Sequence, residues 1–423
     1  MTRRTVRLAY GRHGLTIDVP AERTTVITPI HRPAVQDAGH TLRRALREPV
    51  AGPPLRDIFA PGQTVAISVC DVTRPQPRRP MLEAILDECE GVIRPEDVVI
   101  LVATGTHRAS TTDERVAMFG PDIIARVRVV DHDARDRGSL VDLGMVGDVP
   151  VLLNREWVEA DVRLTTGFVE PHFFAGFSGG PKMVAPGLAG LDTVLALHDA
   201  RRIGDPRATF GVIEGNPVHD AVRAIAAATG VHFALDVLLN DEQRISRAFG
   251  GELFAMHAAA REAARDEAMR PVERPFDITV TTNSGYPLDQ NLYQAVKGMA
   301  AAALVTRVGS PIICAAACED GLPDHGSYAR LLGSASTPQG LLDMIAALPA
   351  TEPDQWQVQV QARIQVEHEV FVHADGLSDA ALLAAHFTPS GDVSGTLERL
   401  IRADSRATIG ILPEGPQTIA YVV

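Results

Sequence analysis

Short apolar runs rich in β-formers alternate with amphipathic helical stretches through the first two thirds of this chain, and that alternation restricts it to parallel α/β layers. A parallel strand is covered on both faces, so it reads as an unbroken apolar run; segments 64–70, 98–103, 127–130 and 163–166 have this character. Helical stretches follow them. One opens at Pro80, a residue suited to a first turn, and another at 110–114, where Thr111 and Glu114 have the spacing of a capping box. The expected fold is α/β, with a doubly wound, mainly parallel sheet in a first domain. A charged, proline-containing stretch at 270–275 marks a boundary. Beyond it a strand at 278–281, a helix at 289–303 and a strand at 311–315 predict a smaller second α/β domain. A helix at 397–403 and a strand at 408–412 close the chain. The domains are therefore expected over 1–270 and 275–403, with the placement of the last segment open to either.

Ligands of parallel α/β sheets bind beyond the carboxyl ends of the strands, so the loops found there carry the functional signal. The first is Asp71-Val72-Thr73-Arg74-Pro75, the second Gly105-Thr106-His107-Arg108, and the third the glycine-rich run from Glu170 to Lys182. Parallel pairing brings all three to one rim. In the third loop Ser178, Gly179 and Gly180 allow close approach of a ligand to the backbone, and Pro181 suits the start of a helix whose free N–H groups attract phosphate. The spacing G-x-x-G-G-x-K is not that of a nucleotide P-loop, and Met183 stands where a magnesium-binding hydroxyl belongs.

Of the 40 basic residues only two are lysine, Lys182 and Lys297. An arginine-biased genome can empty a surface of lysine, but it leaves lysine where a nucleophilic amine or a compact charge is needed. Lys182 can serve as a solvated charge, a phosphate contact or a covalent attachment point. His107 and His172 are each compatible with an ordinary backbone-bonded loop histidine, yet two on one rim suit acid/base work near neutral pH. His198 sits in a helical pattern that Asp192 is placed to cap; it is either a helix-face histidine or a single nitrogen ligand to a metal. In the second domain Tyr293, Gln294 and Lys297 lie on one predicted helix. Gln294 and Lys297, three apart, share a face and can present an amide and a cation to a carboxylate.

The formal net charge of -13 excludes a basic footprint for nucleic acid or anionic membrane, though not a small anionic substrate in a local cationic pocket. No apolar run approaches the roughly 20 residues that cross a bilayer, and a cytoplasmic protein is expected. Cys70, Cys89, Cys314 and Cys318 read as buried, reduced thiols.

Taken in order and spacing, Asp71-Val72-Thr73-Arg74-Pro75, Gly105-Thr106-His107-Arg108, His172 through Lys182, His198 and Tyr293-Gln294-x-x-Lys297 resemble the nickel-dependent lactate racemase family over most of the chain. The resemblance implies two domains with the cofactor in the cleft between them, residues 405–423 returning to the first. It implies a nickel-pincer nucleotide, a pyridinium mononucleotide with two sulfur-bearing arms and a nickel–carbon bond, joined as a thioamide to Lys182. Nickel would take its remaining ligand from His198, in the planar four-coordinate arrangement nickel(II) favours. Asp71, Thr73, Arg74, Ser178, Gly179 and Gly180 would line the cofactor, and dedicated maturation proteins would supply it.

On the same resemblance the substrate is a small 2-hydroxy acid, racemised or epimerised through a 2-keto acid. His107 and His172 would be the acid/base pair, with Tyr293, Gln294, Lys297 and Arg74 binding the substrate. Two other readings remain open on sequence grounds. A nicotinamide-dependent dehydrogenase would share hydride transfer, but no strand-linked G-x-G-x-x-G fingerprint is present. A non-catalytic carrier of the cofactor would not require both His107 and His172. The side chain of the substrate and the oligomeric state are not legible.

Overall fold

The computed structural model of the chain describes residues 2–323 and 326–423. They form two compact units, one made of His31–His198 with Arg207–Glu267, the other of Met1–Ile30, Asp199–Pro206 and Ala268–Val423.

The first unit is built on a six-stranded sheet in the order Ile245–Gly251, Phe233–Leu239, Val162–Phe168, Val65–Cys70, Val98–Ala103, Arg128–Asp131. All neighbours are parallel except the first pair, which forms an antiparallel hairpin. Every residue of Val65–Cys70 is buried, as expected for a central strand of branched apolar side chains. The helices Ala38–Arg47, Arg78–Cys89 and Thr112–Arg126 pack Leu42, Leu46, Met81, Leu82, Ile85, Phe119 and Ile123 against Ile67, Val69, Ile100 and Val102. Truncating one such core leucine, Leu82→Ala, would cost about 2–5 kcal/mol. Thr111 and Glu114 form the expected capping box.

The chain winds outward from Val65–Cys70 through Val98–Ala103 to Arg128–Asp131, then crosses back to Val162–Phe168 on the other side. The direction of winding therefore reverses between Val65–Cys70 and Val162–Phe168. The loops leaving the carboxyl ends of these two strands flank the crevice where doubly wound sheets take ligands.

The second unit has its own six-stranded, all-parallel sheet, ordered Thr388–Pro389, Val370–His373, Ile312–Ala315, Ile278–Thr282, Ile409–Leu412, Thr24–Val26. The return of 405–423 to the first domain does not occur. Ile409–Leu412 pairs with Ile278–Thr282, and Ile419–Val422 pairs with Met269–Val272. It is the N-terminus that changes partner: Thr24–Val26 joins this sheet, and the hairpin Arg3–Leu8/Leu15–Pro20 packs Val6, Leu8, Ile17 and Val19 into its core. The expected 1–270 and 275–403 division fails at both termini. Ile409–Leu412 is a buried apolar strand, which declares its burial but not which of two parallel sheets receives it, and Thr24–Val26, two threonines and a valine that are not buried, carries no strand signal of that kind.

The excursion Asp199–Pro206 also belongs to the second unit, tied to the helix Gln355–Glu367 by Gln359 Nε2 donating to the Ala200 carbonyl at 2.8 Å and Arg363 to the Ile203 carbonyl at 3.0 Å. The four cysteines are buried thiols. No described helix is long and apolar enough to cross a membrane.

Candidate active site

The strand Val65–Cys70 delivers its chain into a loop fixed by two buried polar side chains. Gln76 accepts the Cys70 N–H at 2.7 Å and donates to Thr166 Oγ1 at 2.8 Å, stitching the loop to the neighbouring strand. The Arg78 guanidinium donates to the carbonyls of Cys70 (2.7 Å), Arg74 (2.8 Å), Gln76 (3.1 Å) and Asp71. Neither residue stood out in the sequence, because a Gln and an Arg at a helix start look like ordinary surface positions.

On this frame Asp71 is buried. Its carboxylate accepts from the Thr73 hydroxyl at 2.9 Å and contacts His107 Nδ1 at 2.8 Å. Burial by itself raises the Asp71 carboxyl, but the hydrogen bond and charge of His107, the Arg74 charge and the Thr73 hydroxyl together hold it below the ordinary aspartate value. A charged carboxylate accepts only from a protonated nitrogen, so the proton of neutral His107 sits on Nδ1 and its lone pair on Nε2. The ring is 47% exposed, which leaves it accessible to a substrate. Asp71 and Thr73 are expected to line a cofactor; the Asp71 carboxylate is directed to His107. Arg74 is exposed beside them.

The glycine-rich loop begins with a two-residue hairpin, Pro171–His172 against Gly176–Phe177. His172 Nδ1 accepts the N–H groups of Ala175 (3.2 Å) and Phe174 (3.4 Å), which places the proton of the neutral ring on Nε2. The Phe174 ring meets His172 edge-on at 4.6 Å and His198 edge-on at 5.3 Å, and Lys182 Nζ lies 5.8 Å from its centroid. Three residues singled out for different roles, 26 positions apart in sequence from first to last, thus converge on one phenylalanine that sequence reasoning passed over. The His107 loop joins them through backbone bonds, Gly105 N–H to the Gly187 carbonyl at 3.0 Å and Gly187 N–H to the Lys182 carbonyl at 3.1 Å.

Two local expectations fail here. No helix opens at Pro181; Gly180–Met183 is a single 3-10 turn, too short to carry a helix dipole. The helix before His198 runs Leu191–Leu197 with Gly190 at its N-cap, while Asp192 pairs with Arg137 at 2.5 Å in place of capping. The loop's polar groups also look inward. Ser178 Oγ donates to the Phe168 carbonyl and accepts the Glu170 N–H, both at 2.9 Å, and the Gly180 N–H donates to Asp236 at 2.7 Å. Pro181 was read as a helix start because its fixed φ suits either kind of turn.

His198 caps the C-terminus of its helix, buried, with Nδ1 2.7 Å from the Val194 carbonyl. A carbonyl only accepts, so in the neutral ring Nδ1 carries the proton and the lone pair lies on Nε2.

In the second unit Gln294 and Lys297 share the first turns of Leu292–Ala303, with Lys297 Nζ donating to Gln294 Oε1 at 2.7 Å. Tyr293 is gripped by the helix Gln355–Glu367, its hydroxyl accepting from Trp356 Nε1 at 3.2 Å and its carbonyl from Gln357.

Comparison with known proteins places the chain in a family. Residues 10–211 match the family profile of the lactate racemase N-terminal domain and residues 272–420 that of the lactate racemase C-terminal domain. The chain is 34% identical to a lactate racemase of Thermoanaerobacterium thermosaccharolyticum, with 98% of each chain covered, and 33% identical to one of Lactiplantibacillus plantarum, with 89% of each covered. The lactate racemase apoprotein structure from T. thermosaccharolyticum superposes with a TM-score of 0.92 over 99% of this chain and 100% of that one. A Thermotoga maritima protein, 17% identical, shares the fold at a TM-score of 0.68, covering 91% of this chain and 98% of its own.

Proposed function

Because the chain belongs to the lactate racemase family and is thus an isomerase, we propose that it racemises a lactate-like 2-hydroxy acid through a 2-keto acid, using a nickel-pincer nucleotide held on Lys182. The observation that carries this proposal is the convergence of His172, Lys182 and His198 on Phe174, beside a His107 oriented by Asp71.

The donor set fits such a group. Among the described residues no cluster of three or more His, Cys, Asp or Glu could hold a metal by itself. His198 offers one imidazole nitrogen, and an organic ligand that carries its own donors, as a pincer does, would complete the set. Lys182 would hold that ligand covalently, and the backbone at Ser178, Gly179 and Gly180 would border it. The chemistry supplied by the group, when bound, is reversible acceptance of the substrate's α-hydrogen as hydride.

The chain's own residues do the rest. His107 Nε2 takes the hydroxyl proton, and the Asp71 carboxylate stabilises the imidazolium that results. In the neutral ring His172 presents Nε2–H and can hydrogen-bond the substrate oxygen as a donor. To exchange a proton with that oxygen, giving it up as the imidazolium and taking it back as the neutral ring, His172 must carry a proton on Nδ1 and give up the Phe174 and Ala175 contacts. Gln294 and Lys297 bind the carboxylate, with Tyr293 and Arg74 orienting the substrate, and the buried Phe174 excludes water from the groups it touches.

The test is to give the nickel-loaded protein single enantiomers of 2-hydroxy acids deuterated at the α-carbon, in ordinary water, and follow optical inversion by chiral chromatography. Inversion with the deuterium retained is expected. Inversion with deuterium washed out would mean proton abstraction at carbon and overturn the hydride assignment.

A further inference from the structure

The turn that leads into Lys182 is held from beneath by two buried groups that the reaction does not use. Asp236, in the middle of Phe233–Leu239, is wholly buried, and its Oδ2 accepts the Gly180 N–H at 2.7 Å. Its Oδ1 is buried and faces Gly167, whose N–H gives the carboxyl a second, weaker backbone contact and where a Cβ would stand 3.0 Å away. On the helix Leu253–Ala268, His257 is buried with Nε2 2.9 Å from the Ser178 carbonyl. Burial, helped by the Arg261 charge, pushes that imidazole down to about 3, so the ring stays neutral and donates its Nε2–H across the ordinary pH range.

These two contacts grip the peptide units on either side of one residue. The carbonyl before Gly179 is held by His257 and the N–H after it by Asp236. Gly179 has φ +71° and ψ -165°, a conformation open in practice only to glycine, and such geometry persists only where the surroundings enforce it. The fit leaves no slack. A Cβ on Gly179 would lie 2.6 Å from Asp236 Oδ2, and one on Gly180 2.5 Å from the His257 ring. Lys182 follows Gly179 by three residues in the 3-10 turn, its N–H bonded to the Gly179 carbonyl at 3.2 Å.

We propose that Asp236 and His257 are positioning residues forming a two-point clamp that fixes the backbone at Gly179 and thereby presents the Lys182 amine for covalent attachment. The clamp itself is a property of the apoprotein; its purpose rests on the assignment of Lys182 as the attachment site.

The experiment has two arms on the full chain. In the first, amide hydrogen exchange of the segment 178–182 is measured by mass spectrometry in the apoprotein, with thermal melting as a check on global folding. Asp236→Ala and His257→Leu should speed exchange there about tenfold each, the loss expected when a buried hydrogen bond goes. Asp236→Asn and His257→Gln, which keep an acceptor and a donor, should stay near wild type. Gly179→Ala, which drives a Cβ into Asp236, should give the same fast exchange by a different route if the Ala variant at 236 does not fold. Wild-type protection in Asp236→Ala and His257→Leu, or equal loss in the conservative pair, would overturn the clamp. The second arm follows the cofactor mass on the Lys182 peptide during loading. At unchanged melting temperature Asp236→Ala should load about tenfold more slowly and Asp236→Asn normally; equal rates would overturn the presenting role. A wild type that is protected at 178–182 yet never gains mass on Lys182 would sink the attachment assignment while leaving the clamp standing.

Discussion

Asp71 and Asp236 are both buried carboxyls of one sheet, yet their environments push them in opposite directions. Asp236 is raised to about 7 because burial dominates and the Gly180 and Gly167 N–H groups relieve it only in part. Asp71 meets the same penalty but gains the His107 ring, the Arg74 charge and the Thr73 hydroxyl, and ends below its ordinary value. Partners, and not depth, decide which aspartate remains an anion. The anion can set the tautomer of an acid/base histidine and stabilise its imidazolium. The near-neutral carboxyl can do neither well, and it holds backbone instead. One side of the rim is therefore organised for proton transfer and the other for holding a loop.

The largest effects should separate those two sides. Lys182→Arg removes the only amine on the loop side and should abolish covalent cofactor retention, read as complete loss of added mass on that peptide; a retained adduct would break the division at once. His107→Ala should leave loading intact and lower racemisation by about two orders of magnitude or more. Loading and turnover falling together would show that the two sides are not separable. Asp71→Asn is a finer probe. The amide can donate to Nδ1 and move the His107 proton to Nε2, where it blocks proton acceptance. A fall in kcat of about tenfold with KM and loading unchanged is expected. A loading defect would instead return Asp71 to the cofactor, the role that the family resemblance implies.

Much of this division was within reach of the sequence, and the part that was not has physical causes. The strands 64–70, 98–103 and 163–166 were visible because burial on both faces leaves an unbroken apolar run, and parallel pairing then forced their loops onto one rim. The two lysines stood out because arginine cannot replace an amine chemically. Phe174 escaped notice because an aromatic ring in a loop has many uses, and its role lies in touching three residues distant in sequence. Asp236 left a readable signal, a lone carboxylate inside the apolar run FALDVLL, that was not weighed. The destination of the 409–412 strand left none, since its side chains would be equally buried in either sheet.

The smallest effect tests the comparison at its root, the opposite shifts of the two carboxyls. A carboxyl raised in the folded state binds its proton more tightly there than in the unfolded chain. Its stabilising contribution is therefore full below the unfolded value of 3.8 and is lost as pH rises through about 7. Asn carries no such charge. The melting temperature of Asp236→Asn should match wild type near pH 4 and exceed it by a few degrees above pH 7. The groups facing Asp236 do not confuse the window: the Gly180 amide does not titrate, and the Cys70 thiol is itself pushed up to about 12 by burial. Asp71→Asn should behave the other way. A depressed carboxyl stabilises above its unfolded value and loses that contribution as pH falls through its lower folded one, so this variant should be the less stable partner at neutral pH and converge with wild type only in acid. Parallel pH profiles for the two variants would mean that the carboxyls share one environment, and the contrast between a proton-transfer side and a loop-holding side would go with them.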